Sequence, residues 1–308
     1  MILYSLYAAL WTNHPVTTWI FLEIILMSVL PFLSAAAGVR YFAVQGVSSV
    51  LFFSAALITS DMFIIWIGMG LKIGAAPIHW WVPLIYQESS WLAIFILRTV
   101  IKVVPLAILD IGESSLIISG VLVANAIVGA VGGLYQTSLK MLLAYSSIAH
   151  LGWIFGALIV STHIWSIYLL VYRVNMGILL LINKIKDISV YFILLVLGGL
   201  PPFLGFYPKL YIMKAMSNSQ VGLIFCLLGS SILTLLYYVR ILVVNLLRSQ
   251  RWGKNKILLL LTSIGSTGLI PLLNRHWSFT VIAYLCSRLR LSRWAHAPEM
   301  SALHHNSV

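Results

Sequence analysis

The sequence predicts an all-α polytopic membrane protein, a bundle of about 10–11 transmembrane helices of which two are broken. Of its 308 residues 61% are hydrophobic and 8% are charged, where a soluble domain carries about 25% charged. A chain of this size cannot bury so much apolar surface in one core and still cover itself with polar groups, so that surface must face lipid. The apolar residues fall into runs of about 20, the length of a helix that crosses a bilayer. Most basic residues lie in the short gaps between runs, as the positive-inside rule expects.

In chain order the expected spans are 16–34, 41–59, 62–84, 91–109, 115–135, 141–160, 164–183, 188–212, 220–247 and 257–273. Segments 1–11 and 277–287 are apolar but short. Threading the chain alternately through the membrane, with 1–11 as the first crossing, sorts the gaps. Arg40, Lys140, Lys184, Lys186, Arg248, Arg251, Lys254 and Lys256 fall on the N-terminal side, against Lys214 and Arg275 on the other, which puts the N-terminus inside. Asp61, Asp110 and Glu113 lie on the poorer side and Glu88 does not. A transmembrane domain is expected over 1–273. The remainder, 274–308, with Arg288, Arg290, Arg293, His304 and His305, reads as a basic appendage, interfacial or disordered.

Several chemistries are excluded. The net charge of +12 would suggest nucleic acid in a soluble chain, but no basic stripe interleaved with aromatics is present. Cys226 and Cys286 stand apart in separate apolar stretches, with no metal-spaced pair, iron–sulfur motif or disulfide framework. No N-glycosylation sequon occurs, and the first charged side chain is Glu23, so no cleavable address is expected. Gly68, Gly70 and Gly74 form GxGxxxG with no strand before it, which is not a nucleotide loop. Gly129, Gly132 and Gly133 suit close helix packing. No nucleophile stands with a base.

The informative residues are prolines and charges inside spans. A helical proline leaves the carbonyl four residues earlier without its partner, so Pro77 frees that of Ile73 and Pro201 that of Leu197. Pro77 and Pro83 mark 62–84 as a broken helix; Pro201, Pro202 and Pro208 do so for 188–212. In a membrane such breaks are tolerated where protein or water satisfies the backbone, and they point to ion sites in transporters, although a lone proline is more often a packing kink. Glu23, Lys72, Lys102 and Lys209 accompany these breaks or lie deep in spans. Each would cost about 2.5–3.5 kcal/mol facing lipid, so they should face the interior. Burial favours the neutral form of a lysine and a nearby carboxylate favours the charged form, so such a lysine can take and release a proton; Glu23 is the expected partner of Lys72. Snorkelling is the competing reading, weak for Lys72 and Lys102 near mid-span and stronger for Lys209. Lys140 opens its span and reads first as an interfacial anchor, second as a relay group. Arg98, one turn before Lys102, either disfavours a proton on that lysine as a like charge or snorkels. Arg173 and Arg240 suit lipid-interface or partner contacts. His79 and His150 could extend a proton path, with a structural hydrogen bond at least as good a reading.

Three strings are specific in series: LKIGAAPIHWWVP at 71–83, SLKMLLAYSSIAHLGWI at 138–154 and LGGLPPFLGFYPKL at 197–210. With FLEIILMSVLPFL at 21–33 and RYFAVQGVSSVLFF at 40–53, the chain over 16–247 resembles the NADH dehydrogenase subunit 2 family of mitochondrial respiratory complex I, antiporter-like membrane subunits. The resemblance implies an antiporter-like bundle in the mitochondrial inner membrane, N-terminus in the matrix. It implies other membrane-arm subunits, neighbouring antiporter-like subunits above all, and membrane lipids as partners, and no nucleic acid. No cofactor is implied in this chain; NADH, FMN, iron–sulfur clusters and ubiquinone belong to other subunits. Glu23 would pair with Lys72, Lys102 would be the central relay, and Lys209 would lead towards the exit or the next subunit. The short first segment, Leu84 where the family often has glutamate after VP, Arg98 at an apolar position, and the sequence after Leu273 depart from the family pattern.

The function so implied is proton conduction through a Glu/Lys relay, driven by NADH oxidation and ubiquinone reduction elsewhere in the complex. A free-standing cation/proton antiporter would share the breaks and lysines, but sodium sites want more buried carboxylates than Glu23. A non-conducting scaffold would leave the buried lysines without a reason.

Overall fold

The computed structural model describes residues 1–12, 14–59, 61–110, 115–183, 189–200, 203–217 and 220–248. The expected span 257–273, the appendage 274–308, and Pro201 and Pro202 lie outside the described residues.

The described residues form helices and no strand. The order is α1 (Ile2–Trp11), α2 (Pro15–Val29), α3 (Ala35–Ser54), α4 (Met62–Ile73), α5 (Trp81–Glu88), α6 (Trp91–Phe95), α7 (Val103–Leu109), α8 (Ser115–Leu134), α9 (Leu139–Val160), α10 (Thr162–Asn183), α11 (Ser189–Gly198), α12 (Phe206–Met216) and α13 (Val221–Arg248). A 3-10 turn, Leu30–Phe32, extends α2, and π-helical turns extend α3 over Ala55–Thr59 and join α6 towards α7 over Ile96–Val100. Seven stretches are long and apolar enough to cross a membrane, and the pairs α4–α5 and α11–α12 occupy the two spans expected to be broken. At ten residues, or about 15 Å of rise, α1 is too short to cross alone.

Around α9, the most buried of the long helices, pack α8, α5, α10, α12 and α13. Lipid tails are as apolar as leucine, so this packing cannot rest on hydrophobic burial and needs close contact instead. Small residues supply it: a Cβ on Gly129 of α8 would fall 2.3 Å from the Ala149 nitrogen of α9. Outward residues such as Val50, Phe63, Leu116, Phe225 and Ile232 stay exposed on the isolated chain, which suits a lipid or subunit environment.

Several boundaries differ from expectation. The second long helix starts at Ala35 rather than 41, because Ser34 Oγ caps it by accepting from the Ala37 N–H at 3.4 Å. Arg40 is therefore helical, and its Nη1 meets Glu88 Oε1 at 2.7 Å. The first broken helix stops at Gly74, three residues ahead of Pro77. Gly74 takes a left-handed φ of 73° and turns the Gly74 and Ala75 N–H groups back to the Gly70 carbonyl, a glycine termination that ends a helix without any proline. Likewise α11 ends at Gly198, before left-handed Gly199 (φ 79°). Pro208 does not break a helix; it sits in the first turn of α12, where a missing N–H is harmless.

Candidate functional site

The structure fully buries three lysines among the described residues, Lys72, Lys102 and Lys209, each 4% exposed, and each stands at an interruption of a helix. Snorkelling to a headgroup is not what these side chains do.

Lys72 occupies the last turn of α4, so its own peptide belongs to a helix end. Gln45 Nε2 of α3 donates to the Lys72 carbonyl at 3.2 Å, and Asn125 Oδ1 of α8 accepts from the Ala76 N–H at 3.0 Å. Two buried amides thus satisfy the backbone freed by the break, as a membrane interior demands. Glu23 lies on α2 with its Oε1 buried and without a hydrogen-bond partner. Its charge reaches Lys72, but no ion pair closes between the two.

Lys102 sits where the π-helical turn meets α7. Within that turn the Ile101 N–H reaches back five residues to the Ile96 carbonyl at 3.3 Å. The widened turn marks a site where the regular ladder shifts register, and Pro105, with no N–H to return to Ile101, falls in the first turn of α7. Arg98, on the same turn, is 0% exposed, so snorkelling fails for it too. Its Nε donates to Tyr172 Oη at 2.6 Å and its Nη2 to Ser146 Oγ at 3.0 Å.

Lys209 Nζ donates to the Gly198 carbonyl at 2.8 Å and lies 5.3 Å from the Trp153 ring centroid. The lysine of α12 therefore caps the broken end of α11, where the helix dipole favours a cation. His150 of α9 is buried, with Nδ1 2.7 Å from Tyr168 Oη and its ring 4.7 Å from that of Tyr172. It lies within electrostatic reach of Lys209, Arg98 and Lys102. A cavity of about 10 Å³ lined by His150, Tyr168, Tyr172, Asn175, Gly205 and Pro208 adjoins it, about the room that one water needs.

The remaining candidates fall outside this group. Lys140 Nζ donates to the Ser89 carbonyl at 2.7 Å and so holds the end of α5. His79 is half-buried in the loop after the break, with Nδ1 3.0 Å from the Pro77 carbonyl. Arg240 donates to the carbonyls of Leu134 and Gln136 at 2.5 and 2.6 Å, closing the end of α8, and Arg173 reaches the Thr99 carbonyl at 3.4 Å; both arginines serve contacts inside the chain. Sequence reasoning missed Gln45, Asn125, Ser146, Tyr168 and Tyr172. Their signal was faint: amides and tyrosines inside apolar runs, Tyr168 and Tyr172 one helical turn apart.

The arrangement offers buried ammonium, imidazole, phenol and carboxylate groups, with a water-sized cavity beside His150, chemistry that suits stepwise movement of protons. No group of three or more His, Cys, Asp or Glu able to hold a metal occurs among the described residues.

A family model described as NADH:quinone oxidoreductase/Mrp antiporter, TM, matches residues 55–187. NADH-ubiquinone oxidoreductase chain 2 of Locusta migratoria is 33% identical over 267 residues, 73% of this chain and 77% of the relative. In overall fold the chain is similar to a chain of respiratory complex I from Thermus thermophilus, with TM-score 0.67, 22% identity, and coverage of 78% of this chain and 67% of the other. It is similar as well to a chain of the Mrp complex from Dietzia sp., with TM-score 0.68, 18% identity, and coverage of 78% and 58%.

Proposed function

Since the chain belongs to the NADH-ubiquinone oxidoreductase chain 2 family, antiporter-like subunits of the membrane arm of complex I, we propose that protons move through it between Lys72, Lys102 and Lys209, with Glu23 tuning the first and His150 bridging the last two. The subunit is a multi-pass membrane protein and part of a proton-translocating NADH:ubiquinone reductase. Its partners are other membrane-arm subunits, antiporter-like subunits among them.

One observation supports the relay above all: each fully buried lysine of the described chain stands at a helix interruption. Capping a helix end accounts for the position of Lys209 but not for the burial of Lys102, which begins a helix. At an interruption free carbonyls accept hydrogen bonds from a lysine ammonium and water can reach it to carry a proton. In this reading a change in the Glu23 to Lys72 interaction shifts a proton between Lys72 and Lys102, and the next transfer runs by way of His150 and a water in the adjoining cavity to Lys209. Lys140 and His79 are anchors of the surrounding backbone. NADH, FMN, iron–sulfur clusters and ubiquinone are carried by other subunits, the membrane is the mitochondrial inner membrane, and the N-terminus faces the matrix.

Native electrophoresis of mildly solubilised membranes, with in-gel NADH oxidation and peptide mass spectrometry, tests the assignment. Peptides of this chain are expected in the large NADH-oxidising band. Recovery only in a small particle without that activity would contradict it and favour a free-standing antiporter.

A further inference from the structure

Arg98 is the buried cation that the lysine relay leaves unused. Among the described residues no carboxylate pairs with it. Its guanidinium lies 5.2 Å from the centroid of the Tyr172 ring, is hydrogen-bonded to Tyr172 of α10 and Ser146 of α9, and leaves Nη1 buried without a partner. Burying an arginine without a counter-charge is costly, and a structural filler of that volume would be apolar.

We propose that Arg98 is a positioning residue of the proton relay, a permanent positive charge fixed one turn from Lys102 that drives the proton of that lysine onward. The inference rests on the relay reading above. A guanidinium does not give up its proton in a protein, so of two like charges in a low-dielectric interior the lysine must be the one to yield. Arg98 is also unable to swing away, because Tyr172 and Ser146 hold it from two different helices. The groups around it leave its charge uncompensated. Tyr86 of α5, Tyr172 of α10, and Tyr237 and Tyr238 of α13 all interact with it, and phenols are neutral near neutral pH. Lys102 on its own segment and His150 on α9 complete the set, and both are cations when protonated.

The test is NADH-driven proton pumping by membrane vesicles holding the assembled complex, followed across pH. Arg98→Gln is expected to move the midpoint of the pumping profile to higher pH by about one unit, because Lys102 then keeps its proton longer, while Arg98→Lys, whose ammonium can itself lose a proton, is expected to fall between the native complex and Arg98→Gln. Arg98→Leu provides a second neutral variant. An unchanged profile in either neutral variant that assembles would overturn the proposal. So would failure of both neutral variants to assemble while Arg98→Lys does, since the charge would then serve the fold. Lys102→Met separates the two readings: if it pumps normally the relay itself fails, and if it does not pump while Arg98→Gln leaves the profile unmoved, only the role of Arg98 fails.

Discussion

Asn125 shows how much of this molecule turns on single buried polar groups. Its Oδ1 accepts the Ala76 N–H while its Nδ2 donates to the Val121 carbonyl at 2.7 Å, so one side chain ties the loop after α4 to α8 and satisfies a backbone donor that has no helix to serve it. Leaving a buried donor unmade costs about 1–3 kcal/mol. Asn125→Leu is therefore expected to lower the thermal midpoint of the assembled complex and the amount that assembles; a variant with unchanged midpoint and yield would show that the loop holds itself. Residues of this kind were poorly legible in the sequence. Glu23, Lys72, Lys102 and Lys209 announced themselves because a charge in an apolar run has a large cost and few explanations. Asn125, Gln45 and Tyr172 did not, because a neutral polar side chain can be placed in a span at small cost, and only three-dimensional contact reveals what it binds.

At the scale of elements, hydropathy located the helices well because span length is set by membrane thickness, and nine of the ten expected spans coincide with helices or helix pairs of the structure. Breaks were harder. Proline drew attention to 62–84 and 188–212, yet the helices end at Gly74 and next to Gly199, where positive φ redirects the chain. The interruption at Lys102 was not foreseen, because a π-helical turn needs one displaced hydrogen bond and leaves no composition signature. Glycine also governs how elements approach. Gly129→Ala would place a methyl 2.3 Å from the backbone of Ala149, whereas Gly120→Ala on the same helix meets nothing within 4 Å. The first is expected to reduce the assembled complex severalfold in native gels and the second to leave it unchanged; equal assembly of the two would refute the account of the α8–α9 contact.

Across the whole molecule, gaps that the basic residues sort together meet in contacts the sequence could not show. Arg40, Glu88 and Lys140 come from three gaps that alternation assigns to one side, and they meet there: Arg40 pairs with Glu88, and Lys140 closes on the carbonyl of Ser89. The same side receives Arg240 at the end of α8. The three buried lysines belong to segments far apart in sequence: Lys102 and Lys209 come within electrostatic reach of His150 on α9, and Lys72 within that of Glu23 on α2. A fold of this kind keeps charges off the lipid and holds them at helix interruptions.

The measurement that tests the account most directly is the number of protons pumped per electron by the assembled complex carrying Lys72→Met. The substitution keeps the volume and removes the buried ammonium at the end of the first broken helix, within electrostatic reach of Glu23. The account predicts normal assembly with a greatly reduced ratio; a native ratio in the assembled complex would contradict it.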